Sequence, residues 1–213
     1  MNIEAKICGM RTPEAVDAAL EGGAAFLGFT FFEKSPRYVT PEAAERLAQP
    51  ARGKAKVVAL LVDPSDAEVD RIAQLLRPDL IQLHGAETPA RARAIGQRAD
   101  VGIIKALPVS EAADLAAAAD FETVADHLMF DAKPAKDADR PGGGGRPFDW
   151  TLLAGRRFQR PWFLAGGLDP WNLAQAAEQS GAPMLDVSSG VERGPGLKDP
   201  ALIRAFLDAV RRA

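Results

Sequence analysis

The sequence predicts an α/β fold, a (β/α)8 TIM barrel built as a single domain over residues 1–213. Three observations lead there. Eight short apolar runs alternate with amphipathic or alanine-rich stretches, and such alternation implies a parallel sheet with helical crossovers. Eight strand-then-helix units in 213 residues fit a closed barrel at the short end of its usual size. The rival is an open doubly wound sheet, but the first turn, Gly9-Met10-Arg11, lacks the G-x-G-x-x-G pattern of that fold.

Residues 3–8 read as the first strand, closed by Cys8-Gly9. Thr12 and Pro13 then supply an N-cap and a proline at the first helical position. That helix runs to Glu21 and stops at Gly22-Gly23. Residues 25–31 form strand two, 33–38 a loop, and Thr40-Pro41 opens a helix ending near residue 48. Strand three covers 56–62, and Asp63-Pro64-Ser65 turns into a helix over 66–76. Strand four covers 80–83 and ends in His84-Gly85; Thr88-Pro89 starts the next helix. Strand five covers 101–107, followed by an alanine-rich helix over 108–119 with Ser110 as its cap. Strand six covers 128–131.

The pattern then breaks. Residues 132–148 are a long, polar, glycine-rich loop containing Gly142 to Gly145. A loop of this length inside a compact domain is usually functional or mobile, so it is assigned to the active site. Residues 149–155 form a short helix, 162–165 strand seven, and Asp169-Pro170 starts another helix. Strand eight covers 184–187, and the last helix begins near residue 200.

Bulk properties exclude several classes. The net charge of −3 offers no basic field for nucleic acid. No apolar run approaches the ~20 residues that span a bilayer, and residues 1–6 lack a signal peptide's apolar core, so no membrane is expected. One cysteine forms no internal disulfide and suits a reducing cytoplasm. Two histidines and one cysteine make no zinc ligand set, and no metal is expected. A monomer is the default, with a homodimer as the alternative.

Side chains alternate along a strand, so each strand sorts its residues. Ile3, Ala5 and Ile7 face the helices, which turns Glu4, Lys6 and Cys8 inward. The same rule turns Gln82 and His84, Met129 and Asp131, and Asp186 and Ser188 inward. Polar groups thus converge at the C-terminal mouth, where active sites of this fold lie. Gly166-Gly167 and Ser188-Ser189-Gly190 close the last two strands. Small residues there let backbone N–H groups approach a ligand, and the loops after strands seven and eight frequently bind phosphate. A phosphorylated small molecule is the expected partner. A lone cysteine is ordinarily a small core residue, and the converging mouth is what favours chemistry at Cys8.

Several motifs resemble one family. They are Lys6-Ile7-Cys8-Gly9, Gly28-Phe29 with Ser35-Pro36-Arg37-Tyr38-Val39, and Gln82-Leu83-His84-Gly85. Asp131, Gly142 to Gly145 with Phe148-Asp149-Trp150, Ala165-Gly166-Gly167-Leu168 and Asp186-Val187-Ser188-Ser189-Gly190-Val191-Glu192 follow in order. Together they resemble phosphoribosylanthranilate isomerase, an enzyme of tryptophan biosynthesis. The resemblance implies an Amadori rearrangement of a phosphosugar, N-(5'-phosphoribosyl)anthranilate, without a cofactor. It implies Asp131 as the general acid that opens the furanose ring and Cys8 as the general base that removes the C2 proton. It further implies that Arg37 holds the anthranilate carboxylate and that Asp186 bonds the anthranilate amine or orients a neighbour.

Lys6 has two readings: it favours the Cys8 thiolate, or it pairs with an inward carboxylate, Glu4 or Asp186. His84 and His127 are read as structural. The family's glycine loop carries serine or threonine where this chain has Gly144, and residues 133–140 form a long charged insert. Three alternatives compete, the first being indole-glycerol-phosphate synthase or the tryptophan synthase α chain, related barrels that carry no Lys-Ile-Cys-Gly start. The related sugar isomerase of histidine biosynthesis has an aspartate where Cys8 stands. A catalytically inactive phosphosugar-binding protein needs neither Cys8 nor Asp131.

Overall fold

The computed structural model describes residues 3–134 and 147–213. Gly142 to Gly145 and most of the 133–140 insert lie outside the described residues. Eight parallel strands close in sequential order: β1 (Glu4–Cys8), β2 (Phe26–Thr30), β3 (Lys56–Leu61), β4 (Leu80–Leu83), β5 (Gly102–Val109), β6 (His127–Ala132), β7 (Trp162–Leu164) and β8 (Met184–Val187). β8 returns to β1, with Glu4, Ala5, Lys6 and Ile7 opposite Met184, Leu185, Asp186 and Val187.

The helices are α1 (Pro13–Glu21), α2 (Pro41–Ala48), α3 (Asp66–Leu75), α4 (Pro89–Ala99), α5 (Ala118–Phe121), α6 (Leu173–Ser180) and α7 (Pro200–Arg212). Thr12, Thr40, Ser65 and Thr88 cap the first four by accepting a backbone N–H three residues on. Each such cap contributes about 1 kcal/mol by satisfying an otherwise unpaired donor.

The fold has two apolar layers, and strand alternation separates them. Ile7, Leu27, Phe29, Ile81, Leu83, Leu128, Phe130, Leu185 and Val187 belong to the outer core packed against the helices. Phe26, Val58, Leu80, Ile104, Ala106, Met129, Phe163 and Ala165 fill the barrel interior. The inner layer leaves the upper, C-terminal positions of the strands to polar groups.

Three expected elements differ. The helix over 108–119 is a 3-10 turn at Ala112–Ala117 followed by the single turn of α5. Ser110 does not cap it: its N–H and Oγ both donate to Asp114 Oδ2, which also accepts from Glu111 N. The helix over 149–155 is a 3-10 turn at Trp150–Leu153. α6 starts at Leu173 because Asp169 Oδ1 first takes the N–H groups of Trp171 and Asn172 in a turn. One unexpected element follows β8: an antiparallel hairpin of β9 (Glu192–Gly194) and β10 (Leu197–Lys198).

Candidate active site

Cys8 ends β1 and is 4% exposed. Its register partner on β2 is Gly28. A Cβ at Gly28 would lie 2.9 Å from Cys8 Sγ and 3.2 Å from Lys6 Nζ, so glycine there makes the space that thiol and ammonium share. Lys6 is fully buried and donates to Asp186 Oδ1 at 2.7 Å. Asp186, and not Glu4, is therefore its carboxylate partner. Burial pushes the Cys8 thiol up, and the Lys6 charge beside it pulls the other way without cancelling that effect. Burial opposes the Lys6 ammonium as well, but Asp186 and Cys8 outweigh it and the group stays charged. The pairing reading of Lys6 holds, and the same geometry sets its ammonium beside the Cys8 thiol.

Asp131 lies across the mouth at the end of β6. Its Oδ2 faces His84 Nε2 at 3.1 Å, and its Oδ1 accepts from Ala132 N at 2.8 Å. His84 Nδ1 meets Gln82 Nε2 at 3.0 Å. Asp131 Oδ1 is also 2.8 Å from where a Gly166 side chain would begin, so this carboxyl borders the glycine turn after β7.

Arg37, in the loop after β2, forms a two-point ion pair with Glu192: Nε to Oε1 and Nη2 to Oε2, both at 2.8 Å. Fork-to-fork pairing of this kind fixes the guanidinium plane. Glu192 Oε1 also accepts from Lys198 Nζ at 2.5 Å, and Lys198 donates to the Ser188 carbonyl at 3.0 Å. Burial pushes Lys198 down, with Glu192 opposing. Burial would raise the Glu192 carboxyl, but hydrogen bonds and charge from Arg37 and Lys198 win and hold it below its ordinary range. Arg11 Nη1 donates to the Pro36 carbonyl at 2.8 Å and tethers the Arg37 loop.

The turns after β7 and β8 lie against each other. A Cβ at Gly190 would sit 1.9 Å from the Leu168 carbonyl oxygen, so only glycine allows that approach. Ser188 Oγ donates to the Cys8 carbonyl at 3.2 Å, which joins this pair of turns to the β1 end. Cys8, Asp131, Asp186, Arg37, Gly166, Gly167, Ser188, Ser189 and Gly190 therefore all surround one mouth. Glu192, Lys198 and Gln82 join them, although sequence reasoning gave them no role. Glu192 closed a quoted motif, whereas Lys198 sits in a polar stretch with no signal. Among the described residues, no group of three or more His, Cys, Asp or Glu side chains is arranged to hold a metal ion.

A closed (β/α)8 barrel with a thiol, carboxylates and cations gathered at its C-terminal mouth defines a barrel enzyme of acid–base chemistry. Comparison with known proteins makes this specific. The family model for N-(5'-phosphoribosyl)anthranilate isomerase matches residues 5–209. The N-(5'-phosphoribosyl)anthranilate isomerase of Caulobacter vibrioides is 64% identical over 210 residues, covering 98% of this chain and 96% of that protein. The phosphoribosylanthranilate isomerase of Thermotoga maritima superposes with a TM-score of 0.88 at 32% identity, over 99% of this chain and 100% of that one. Another isomerase structure, in complex with reduced 1-(o-carboxyphenylamino)-1-deoxyribulose 5-phosphate, gives 0.85 at 30% identity, again over 99% and 100%. The chain belongs to the N-(5'-phosphoribosyl)anthranilate isomerase family.

Proposed function

We propose that this isomerase converts N-(5'-phosphoribosyl)anthranilate to 1-(2-carboxyphenylamino)-1-deoxyribulose 5-phosphate in tryptophan biosynthesis, with Asp131 as general acid and Cys8 as general base. Asp131 protonates the furanose ring oxygen as the C1–O bond breaks, and the anthranilate nitrogen lone pair forms a protonated Schiff base. The Cys8 thiolate removes the C2 proton, and the electron pair moves into a C1–C2 double bond. The resulting enaminol gains a proton at C1 and loses one from its C2 hydroxyl, giving the ketone with no net change in composition.

The observation that carries this reading is the pairing of environments at one mouth. Cys8 lies beside the charged Lys6, and Asp131 is held by His84. Burial keeps the resting thiol protonated, and the Lys6 charge favours the thiolate when the base is needed. Arg37 offers its remaining N–H groups to the anthranilate carboxylate, its other edge being held by Glu192. Asp186 receives the anthranilate N–H on Oδ2, since Oδ1 is taken by Lys6. The N–H groups of Gly166 and Gly167 donate to no acceptor among the described residues, and with Ser188, Ser189 and Gly190 they take the phosphate.

The working unit is one barrel domain over 1–213. A monomer fits the scattering of exposed apolar residues, Leu75, Trp171 and Leu197, over separate elements. No helix among the described residues is long and apolar enough to cross a membrane. The cytoplasm suits a chain that depends on one free thiol.

The test follows the fluorescence of freshly prepared phosphoribosylanthranilate with wild type, Cys8→Ser and Asp131→Asn. Each variant is expected to lose roughly 10²–10⁴-fold in turnover while still binding a product analogue. Full activity in either variant removes that residue's role. A wild type that binds the analogue without turnover favours the binding-protein reading.

A further inference from the structure

We propose that Gln82 fixes His84 as an Nε2–H donor, so that the imidazole holds the Asp131 carboxyl in place at the mouth. This rests on the reading of Asp131 as the general acid. A neutral imidazole carries one ring proton, and only the Nε2–H form donates to Asp131. With that proton on Nδ1, Nε2 and the Asp131 carboxylate would face each other as two acceptors. The barrel interior prevents that arrangement.

The constraint starts at Met129. Gln82 Nε2 has two acceptors, His84 Nδ1 at 3.0 Å and Met129 Sδ at 3.2 Å. Gln82 Oε1 is buried without a partner among the described residues. Reversing the amide would set its oxygen against the sulfur and bury both N–H groups where Oε1 now has no partner. One unpaired acceptor costs less than two unpaired donors, so the thioether fixes which way the amide faces. Ala106, the small inward residue of β5 in register with Met129, leaves room for β4 and β6 side chains to meet.

With an amide N–H pointing at Nδ1, that nitrogen is an acceptor and the ring proton is on Nε2, directed at Asp131 Oδ2. A second proton at Nδ1 would oppose the amide hydrogen and break the hydrogen bond. The other charged groups around this turn are committed elsewhere. Asp63 Oδ1 accepts from Ala86 N, Glu87 accepts from the N–H groups of Asp63 and Gly85, and Lys105 Nζ donates to Glu87 and to the Gly85 carbonyl. Among the described residues, Asp131 is the one carboxylate bonded to the imidazole, with Oδ1 held by its own backbone neighbour. His84 is a positioning residue in this scheme and transfers no proton.

The experiment combines ¹⁵N NMR of the wild-type imidazole with the kinetics of three variants. His84 is expected to show an unprotonated Nδ1 and a protonated Nε2 at about pH 8. A protonated Nδ1 at that pH would overturn the proposal. His84→Gln supplies a neutral N–H near Nε2 and is expected to keep kcat within a few-fold. His84→Leu, which donates nothing, should lose roughly 10–100-fold in kcat with KM little changed. Gln82→Glu puts an acceptor at Nδ1, draws the proton onto the ring and should lose kcat to a similar extent. Wild-type kcat in both His84→Leu and Gln82→Glu sinks the idea. Full turnover by Asp131→Asn removes the acid assignment beneath it, an outcome read separately from the imidazole spectrum.

Discussion

Lys6 and Asp186 are register partners across the seam joining the first strand to the last, and their side chains meet at 2.7 Å. The pair performs two tasks. It neutralises a lysine with no exposed surface, and it sets a positive charge beside the Cys8 thiol. Removing one partner of a buried pair leaves the other uncompensated, at about 3–5 kcal/mol.

Lys6→Met should therefore lower stability by an amount of that order, read as a shift in the urea midpoint. The same change should move thiol titration further up, because the charge that opposed burial is gone. Thiol alkylation rates against pH measure it, and an unchanged titration would remove Lys6 from thiolate support.

Gly28→Ala tests the shared space between thiol and ammonium. The new methyl would fall 2.9 Å from Sγ and 3.2 Å from the Cys8 Cα. Overpacking of this kind costs about 1–3 kcal/mol. The folded fraction of the variant is expected to show a reduced kcat and altered thiol reactivity, compared with wild type in the same fluorescence assay.

Glu192→Gln releases one edge of Arg37 and the ammonium of Lys198 together. Substrate binding should suffer more than chemistry, with KM raised and kcat less changed. The stability effect has a definite sign. The Glu192 carboxyl is held below its ordinary range, so its contribution is present above the unfolded value of ~4.3 and is lost as pH falls through the folded value. The variant should lack that acid limb in denaturant titrations.

His127 predicts a second pH effect at the opposite end of the barrel. Its ring packs against Phe26 and Phe163, and burial lowers its proton affinity, with Asp126 and Glu4 opposing. The unfolded chain then binds a proton that the folded chain refuses. Stability should fall as pH drops below ~6.5, by at most about 1.4 kcal/mol per unit for one proton. His127→Phe should flatten this part of the curve in urea melts at about pH 7.5 and 5.5.

Much of this architecture is legible in the sequence because the barrel repeats a local code. Thr-Pro pairs announce three helices, and period-two alternation assigns Cys8, Gln82, His84, Asp131 and Asp186 to the interior. The code fails where tertiary contacts override it. Ser110 has the composition of a cap but serves Asp114, whose carboxyl is drawn down to about 2 by the surrounding N–H groups and Lys133. The β9–β10 hairpin bears no alternating apolar pattern. It forms because Glu192 and Lys198 are tied to Arg37 and the β8 turn. Such cross-chain pairing has no local signature. The role of Gln82 depends on a sulfur 47 residues away.

The seam also dictates timing during synthesis. The two halves of the Lys6–Asp186 pair are separated by 180 residues of chain. At roughly 5–20 residues per second, a ribosome takes roughly ten to forty seconds to deliver the second after the first. Throughout that interval β1 has one unpaired edge, and the thiol at its end has neither its carboxylate-bound lysine nor its roof of β8 turns. A nascent chain therefore displays an oxidisable cysteine beside an open strand edge, a hazard absent from the finished barrel.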